Sequence, residues 1–475
     1  MKKSLSIILA LLLLTATACQ SGNNARTEAD TSSAEVTTAP EINHFDELVT
    51  DKYSGRTLSI FDINDHPTMH VNFSTEEQNG EIVNDALYNR DRLIEDKFGV
   101  TITYDVTPEV GAKEGTQKLV RAVLADEKSY DYVIGVLLGG ALMSASQQGV
   151  LANLCDVPYL SLTENWWSKA MYENFRLNDT MYYSTGDIAA SMYQMVWVTF
   201  ANTRLLEDNQ IDEDLFSLVF DGKWTLDKVY DLTKDMNRDL NDDGKLDTSD
   251  DFIGAFECYN PESCGVHLVS VSDDNTTLDI NIHDERLITY VEKCSKLYAK
   301  ITSSGNANES KKAMFKEGRC LFYSHPIEVA MSHFRDMEDD YLVLPMAKLD
   351  EKQEEYYGPG SGWVSAFMAI PTTADYEFSG LMAEAMAYAS YSDVRPKAYE
   401  LVYKQKALRD ERSAEILDMV FNNSYIDFNS IYDFGSMRAA VANAISGSGT
   451  LTSDLDSKLP AAEQQIEDFL ETWRR

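Results

Sequence analysis

The sequence is poor in basic residues, in cysteine and in long apolar runs. Lys and Arg number 41 against 78 Asp and Glu, which gives a formal net charge of −37 at pH 7. A surface this acidic repels nucleic-acid phosphates and anionic lipid head groups, so a nucleic-acid partner is close to excluded. Three common enzyme motifs are also absent from the sequence, namely the P-loop, H-E-x-x-H and G-x-S-x-G.

Six cysteines are present, and none of them has zinc-site spacing such as C-x-x-C. Apart from Cys19 five remain, and an odd number cannot all pair within one chain. Cys258 and Cys264 are close enough in sequence to close a small disulfide loop in an oxidising compartment. Buried free thiols are the alternative, and the sequence leaves both open.

The one long apolar run is Leu5–Leu14, which follows Lys2 and Lys3 and precedes Thr15–Ala18. A basic start, a short apolar stretch and small residues are typical of a secretory signal, and the run is too short for a spanning helix. Because Cys19 comes next, the segment resembles a bacterial lipoprotein signal, which implies lipidation of Cys19. The alternative is an ordinary signal cut before Cys19, and both interpretations place the chain outside the cytoplasm.

Residues 1–18 are therefore interpreted as the signal and residues 19–50 as a flexible tether. The tether prediction follows from a segment that is rich in Ser, Thr, Asn, Ala and acidic residues and has almost no apolar pattern. The whole sequence is 44% hydrophobic and 11% aromatic, which is enough to build a sizeable core. Its length of 475 residues predicts two or three domains.

Strand-like and helix-like patterns alternate along the folded part. The first group reads β-α-β-α-β, which predicts a twisted α/β sheet with right-handed crossovers. A second helix-and-strand group and a C-terminal helical region follow, so two α/β lobes are predicted. The first group comprises Thr57–Phe61, Asp85–Glu95, Val100–Tyr104, Lys118–Ala125 and Tyr130–Ile134; the later segments are Leu226–Met236, Asp251–Phe256, Cys320–Tyr323, Tyr341–Pro345, Ala366–Pro371, Met437–Ile445 and Pro460–Trp473.

A series of short motifs occurs in an order that resembles the family 1 extracellular solute-binding lipoproteins of bacterial ABC importers, the carbohydrate-binding group. The motifs are Tyr130-Asp-Tyr-Val-Ile-Gly, Asn165-Trp-Trp, Gly222-Lys-Trp-Thr-Leu-Asp, Phe315-Lys-Glu-Gly-Arg-Cys-Leu-Phe and Ala439-Ala-Val-Ala-Asn-Ala-Ile-Ser-Gly. The resemblance implies a two-lobed type II periplasmic-binding-protein fold in which hinge crossings join the lobes. It further implies a monomer that does no covalent chemistry, binds a carbohydrate between the lobes and delivers it to the transmembrane permease.

On this resemblance the first lobe comprises residues 51–190 and 370–410, and the second comprises 191–369 and 411–475. The crossings are expected near Asp187–Val196, near Ser365–Pro371 and before the C-terminal helices. The resemblance also suggests the residues that bind ligand, although packing or a surface loop is the alternative for each, and Trp166 and Trp167 are expected to pack. The suggested residues are Asp62, Asn64, Gly139, Gly140, Asp187, Tyr193, Glu257, Tyr259, His325, Ile327, Glu328, Trp363, Tyr432 and Phe434.

The sharpest local motif is an acidic loop with the oxygen spacing of a calcium site. Calcium takes six or more hard oxygen ligands, and twelve-residue loops supply them from fixed positions around a glycine at position 6. Here Gly244 has that position, which predicts a structural Ca²⁺ that braces the second lobe. An acidic, solvated turn is the alternative. The predicted ligands are Asp239, Asn241, Asp243, the Lys245 carbonyl, Asp247 and Asp250.

Two other functions stay open from the sequence. An exported glycoside hydrolase needs only a pair of carboxylates at the right distance, and a chain with so many acidic residues can supply one. A surface scaffold or adhesion protein is suggested by the resemblance of the acidic loop to those of dockerins. Dockerins carry two such loops, and this sequence has one.

Overall fold

The computed structural model describes residues 44–63, 73, 75, 77–106, 111–137, 142–258, 260–298, 301–302, 307–362, 365–408 and 410–473. The predicted signal, Cys19 and most of the tether lie outside these residues. So do five predicted ligand residues, namely Asn64, Gly139, Gly140, Tyr259 and Trp363.

The α-helices and strands follow the predicted alternation. The helices are α1 (His44–Leu48), α2 (Ile82–Phe98), α3 (Gly111–Leu124), α4 (Leu142–Gln147), α5 (Lys169–Phe175), α6 (Thr203–Asp208), α7 (Leu215–Phe220), α8 (Leu226–Thr233), α9 (Glu285–Tyr298), α10 (Ala307–Lys316), α11 (Val329–Ser332), α12 (Tyr376–Ala389), α13 (Glu411–Asn422), α14 (Phe428–Tyr432), α15 (Met437–Ser446) and α16 (Leu451–Trp473). The strands are β1 (Thr57–Ile63), β2 (Thr101–Val106), β3 (Tyr132–Gly135), β4 (Trp197–Asn202), β5 (Leu246–Asp247), β6 (Ile253–Phe256), β7 (Val269–Val271), β8 (Leu278–Ile280), β9 (Ile301–Thr302), β10 (Cys320–Pro326), β11 (Tyr341–Pro345), β12 (Gly358–Pro359), β13 (Phe367–Ala369) and β14 (Ser424–Tyr425).

The first sheet has the strand order β13-β3-β1-β2. β1 runs parallel to β2 and β3, and β13 pairs with β3 in the antiparallel sense. Successive residues of β1 face opposite sides, as a strand's two-residue period requires. Ile60 lies in one core with Phe378 of α12, whereas Phe61 lies in the other with Leu119 of α3. Helices therefore cover both faces, and the predicted β-α-β-α-β unit is confirmed.

The second sheet has the order β11-β4-β10-β6. β10 is parallel to β6 and antiparallel to β4, which is also antiparallel to β11. The predicted strands of the second lobe are confirmed, and so are the C-terminal helices α15 and α16.

Three segments connect the two sheets. The first runs from Gly186 to Val196. The second includes the described residues 358–362 and 365–367 and joins the first sheet at Phe367, ahead of the predicted boundary at residue 370. The third is α12 with its π-helical continuations Ser390–Val394 and Pro396–Ala407. π-Helical turns are rare and frequently lie at functional sites.

The first and third crossings are tied to α2 by the buried guanidinium of Arg90. It donates to the Ile188 carbonyl at 3.3 Å and to the Ser390 hydroxyl at 3.4 Å. It also donates to the Phe73 carbonyl at 2.7 Å and forms two hydrogen bonds to Asp91 at 2.7 and 2.9 Å. A buried charge is tolerated only when it is paired and hydrogen-bonded in this way.

A second buried group, the Glu384 carboxylate, holds the double-tryptophan turn against α12. It accepts from the indole nitrogens of Trp166 and Trp167 at 3.0 and 2.8 Å and from the Ser161 amide at 3.1 Å. The predicted packing role of both tryptophans is confirmed. His44 lies 3.2 Å from the same carboxylate, so residues 44–48, predicted as tether, instead form α1 on the surface of the first lobe.

The described cysteines are all free thiols, including Cys258 and Cys264. Both of these are buried, and burial raises the pKa of each thiol to about 12, so neither is a thiolate at neutral pH. Within the described part of the chain, no helix combines the length and apolar character that membrane crossing requires.

Replacement of Arg90 should strongly destabilise the protein. Arg90→Leu leaves the Asp91 carboxylate and two carbonyls buried without their donor, and we expect the free energy of unfolding to fall by about 3–5 kcal/mol. Arg92→Leu is the matched control, because Arg92 lies on the same helix, is half exposed and pairs with Glu95 at the surface, where such pairs contribute about 0–1 kcal/mol. Urea unfolding measures both, and equal losses would contradict the anchoring role of Arg90.

Candidate functional site

The ends of both sheets meet at the crossings. In the first sheet β1 and β3 end together, since Ile63 pairs with Gly135, and Gly135 pairs with Phe367 of the second crossing. In the second lobe the amide of Ile327, just after β10, donates to the Val196 carbonyl of the first crossing at 2.9 Å. Sites in open α/β sheets lie outside the carboxyl ends of the strands, so this meeting point is the candidate site.

The second lobe brings a cluster of polar and aromatic side chains to this point. Trp197 begins β4, is partly exposed and lies with its ring 5.8 Å from that of His325. Tyr323 also lies 5.8 Å from His325, and the charges of Glu257 and Glu328 both act to raise the pKa of its phenol, which burial raises most. Three predicted ligand residues, Glu257, His325 and Glu328, are therefore brought together.

His325 is uncharged at neutral pH. Burial lowers the pKa of its imidazole to about 4, and the nearby cations Lys312 and Lys311 act in the same direction. Its Nδ1 lies 3.2 Å from the Pro326 carbonyl, which can only accept, so Nδ1 carries the proton. Nε2 is then a hydrogen-bond acceptor, which suits a hydroxyl donor.

Glu257 directly follows β6 and has a left-handed backbone conformation with φ of 53°. Its Oε1 accepts from Lys311 Nζ at 2.6 Å, and both side chains are largely buried. The lysine neutralises the carboxylate, so this part of the site presents a paired group in place of an isolated charge. The Glu328 carboxylate is fixed in position by a hydrogen bond, because its Oε2 accepts from the Ser332 hydroxyl at 2.7 Å.

Two predicted carboxylates lie on the first-lobe side. Asp62 is buried near the end of β1. Asp187 begins the first crossing, and its side chain is fully buried. Neither of its carboxylate oxygens has a hydrogen-bond partner among the described residues, and its ion-pair partner there is Arg395, with Nη1 at 3.6 Å. Burial raises the pKa of Asp187 to about 8, against the opposing charge of Arg395.

Four other predicted ligand residues are packed away from this point. The Tyr193 ring is buried against Phe421, with ring centres 5.6 Å apart, and the Ile327 side chain is fully buried. Tyr432 and Phe434 stack with centres 5.7 Å apart in an aromatic cluster that α16 covers through Phe469. Their faces are occupied by other rings, so the structure does not support a ligand platform at these positions.

The sequence analysis missed several residues of the site. Trp197 stands one residue beyond the predicted end of the first crossing, and an aromatic at that boundary was the available signal. Lys311, Tyr403 and Arg395 are placed only by tertiary contacts: Lys311 pairs with Glu257, Tyr403 lies near Glu328, and Arg395 faces Asp187. No local pattern marks these three.

The acidic loop is folded around its own carboxylates. Asp239 accepts from the Gly244 amide at 2.8 Å, and Asn241 donates to Asp250 at 2.9 Å. The other Asp239 oxygen is buried without a hydrogen-bond partner among the described residues. Asp247 and Asp250 can bring a carboxylate oxygen within 4.8 Å of each other and of Asp251, a fully buried residue that the sequence prediction omitted. The calcium assignment stays a prediction.

Comparison with known proteins identifies relatives by structure only. Neither a family model nor a curated protein sequence matches this chain. A cyclo/maltodextrin-binding protein solved with maltotetraose is similar, with a TM-score of 0.57, 14% identity and coverage of 88% of this chain and 99% of that one. The cyclic α-maltosyl-1,6-maltose-binding protein of Arthrobacter globiformis has a TM-score of 0.57, 12% identity and coverage of 88% and 99%.

The lacto-N-biose-binding protein of a Bifidobacterium longum ABC transporter, solved with lacto-N-biose, has a TM-score of 0.56 and 13% identity over 88% of this chain and 98% of that one. These are binding proteins rather than enzymes. At such identities the likeness concerns the fold, and it extends over nearly the whole of each relative. The chain therefore has the two-lobed type II periplasmic-binding-protein fold with a helical C-terminal region, and the predicted fold class is confirmed.

The buried Asp187 carboxyl should make stability depend on pH. Its pKa in the folded protein, about 8, exceeds the ordinary value of 3.8, so between these values the folded state holds the proton more tightly than the unfolded state. The contribution of Asp187 to stability therefore falls as the pH rises through this window. Asp187→Asn removes the titration, so its stability relative to the parent should rise between about pH 5 and pH 8.

Urea unfolding at the two pH values measures this difference. Asp208→Asn is the control, because Asp208 is more than half exposed, and its effect should be the same at both. A pH-independent effect of Asp187→Asn would contradict a raised pKa in the folded protein.

Proposed function

We propose that the protein is the substrate-binding component of an ABC importer and captures an oligosaccharide between its two lobes. The observation that carries this proposal is the meeting of both sets of strand ends at the crossings, in a fold whose solved relatives are sugar-binding proteins. The site chemistry agrees with a neutral polyhydroxylated ligand. It combines an indole face at Trp197 with an uncharged imidazole at His325 and a carboxylate, Glu257, that is already paired with Lys311.

Capture by two lobes has a physical basis. A ligand between them is buried on both sides, and closure is stabilised only by contacts that the ligand makes to both lobes. A closed form then differs in shape from the open one, so a permease can distinguish loaded from empty protein. No covalent step belongs to this proposal.

We further propose that Cys19 is lipidated and tethers the protein, as a monomer, to the outer side of the cell membrane. The support is the sequence alone, where a basic start, an apolar run and small residues precede Cys19. One acyl chain binds a membrane only marginally, so more than one is needed for stable anchoring.

Binding of neutral saccharides to the purified protein tests the proposed function. Calorimetric titration with maltotetraose, lacto-N-biose and a panel of gluco- and xylo-oligosaccharides should give a ligand whose affinity falls about tenfold or more in Trp197→Ala, because a stacking face is lost. Phe220→Ala is the control, since Phe220 is an exposed aromatic at the end of α7, and it should leave affinity unchanged.

Two results would contradict the proposal. One is the absence of any saccharide binding that depends on Trp197. The other is hydrolysis of the oligosaccharide during the titration, which would favour the exported glycosidase that the sequence left open.

We also propose that the acidic loop binds a structural Ca²⁺. Asp239, Asn241, Asp243, the Lys245 carbonyl and Asp247 would supply oxygens, with Asp250 at the twelfth position. The unpartnered oxygen of Asp239 and the approach of Asp247 to Asp250 support this reading. Weak to moderate affinity is expected, as in extracellular modules.

Calcium should raise the stability of the parent protein. At about 100 times the dissociation constant, a site of this kind adds about 2.7 kcal/mol to the free energy of unfolding. Asp239→Ala/Asp243→Ala should abolish the calcium-dependent shift in melting temperature. Asp242→Asn is the matched control, because Asp242 has a non-ligand position in the same loop, and it should keep the shift. An equal shift in all three proteins would overturn the assignment.

A further inference from the structure

The crossings have a front side, towards the candidate site, and a rear side. In the first lobe Ser184, just ahead of the first crossing, bridges Met368 of the first sheet on one edge, whereas Gly186 bridges Trp167 on the other. Met368 belongs to β13, which pairs with β3, and β3 pairs with β1. The ends of β1 and β3 form the candidate site. Trp167 therefore lies behind the crossing.

The second lobe has the same arrangement. Val196 receives the Ile327 amide on one edge and bridges Gly360 on the other. The Gly360 amide in turn donates to the Tyr425 carbonyl at 2.7 Å. The order is thus Ile327, Val196, Gly360, Tyr425, which places β14 at the rear and the end of β10 at the front.

A cavity of about 600 Å³ lies on this rear side. Its walls come from the Thr163–Asn174 region of the first lobe, from Met192 and Met195 of the first crossing, and from Tyr357 and Phe421–Tyr425 of the second lobe. None of Asp62, Glu257, His325 and Glu328 lines it. The volume is within the range of small-ligand sites, and the cavity is separate from the candidate site.

The lining has the composition that a neutral sugar requires. Aromatic side chains can pack against the C–H faces of a sugar ring, and side-chain amides both donate to and accept from hydroxyls. The charged side chains are two carboxylates and two cations, so their formal charges cancel. The partly exposed aromatics are Tyr357, Tyr391 and Tyr425, the amides Asn165, Asn174, Asn422 and Asn423, and the charged residues Glu164, Glu173, Lys169 and Arg395.

Arg395 connects this cavity to an unsatisfied buried group. Its side chain is about 30% exposed, lines the cavity and stands 3.6 Å from the fully buried Asp187 carboxylate, whose oxygens lack hydrogen-bond partners in the described part of the chain. The guanidinium also lies over the Tyr391 ring, 5.4 Å from its centre. Since Asp187 makes no close hydrogen bond to Arg395, donors of the guanidinium remain for a ligand in the cavity.

We propose that this rear cavity is a second ligand site, which takes a neutral mono- or disaccharide between its aromatic walls and the Arg395 guanidinium. The ligand class rests on the proposed function as well as on the lining, but the position does not. Because the walls belong to both lobes, a molecule bound there is linked to the angle between them. The protein would then hold sugar on both sides of its crossings.

The test is saturation-transfer NMR on the purified protein with glucose, galactose, xylose, maltose, lactose and cellobiose, each up to about 10 mM, a range that detects weak binding. Asn165→Trp fills the mouth of the rear cavity from an exposed position, and Tyr391→Ala removes one of its rings. Trp197→Ala removes the front platform. Circular dichroism and the melting temperature check that each variant is folded.

The proposal expects at least one sugar that still binds Trp197→Ala and whose affinity falls about tenfold or more in both Asn165→Trp and Tyr391→Ala. The proposal is overturned if every sugar that binds the parent protein fails to bind Trp197→Ala but still binds Asn165→Trp and Tyr391→Ala. That result leaves the proposed function intact. It is also overturned if no sugar binds Trp197→Ala. If binding is weakened by Asn165→Trp and Tyr391→Ala but never by Trp197→Ala, the rear site is supported and the proposed function is contradicted.

Discussion

One buried guanidinium ties the first lobe to two of the three segments that connect the sheets. Arg90 holds the Ile188 carbonyl of the first crossing and the Ser390 hydroxyl of the third against α2, and Asp91 balances its charge. A buried ion held this way is costly to disturb, so the first-lobe ends of these crossings are rigid.

The same crossings determine the chemistry on their two sides. At the front, burial keeps His325 uncharged, and Lys311 neutralises Glu257, so two of the polar groups there carry no unpaired charge. Asp187 lies between front and rear. Burial raises the pKa of its carboxyl, and Arg395, at 3.6 Å, makes no close hydrogen bond to it. Both sides thus suit uncharged polar ligands, and neither depends on the overall charge of the molecule.

Particular residues show how far sequence reasoning reaches. The strand Tyr341–Pro345 was predicted from its local pattern, and the helix that begins at Leu226 was predicted with Thr225 as its N-cap. The structure has both elements, and the Thr225 hydroxyl accepts a hydrogen bond from the Lys228 amide. The family resemblance suggested Tyr432 and Phe434, which precede the C-terminal helix, as ligand residues. They are instead covered by Phe469, more than thirty residues later, a contact that no local pattern encodes.

The sequence by itself determined the alternation of strands and helices, the two-lobed α/β fold, the acidic loop and three carboxylate or imidazole side chains at the strand ends of the second lobe. The alternation and the acidic loop depend on periodicity, capping and spacing, which act over a few residues, whereas the three side chains follow from the family resemblance. Tertiary structure decided the partners of Glu257 and Asp187, the covering of the C-terminal aromatics and the cavity behind the crossings. Each of these joins residues far apart in the chain, so burial and pairing exist only after the lobes have packed.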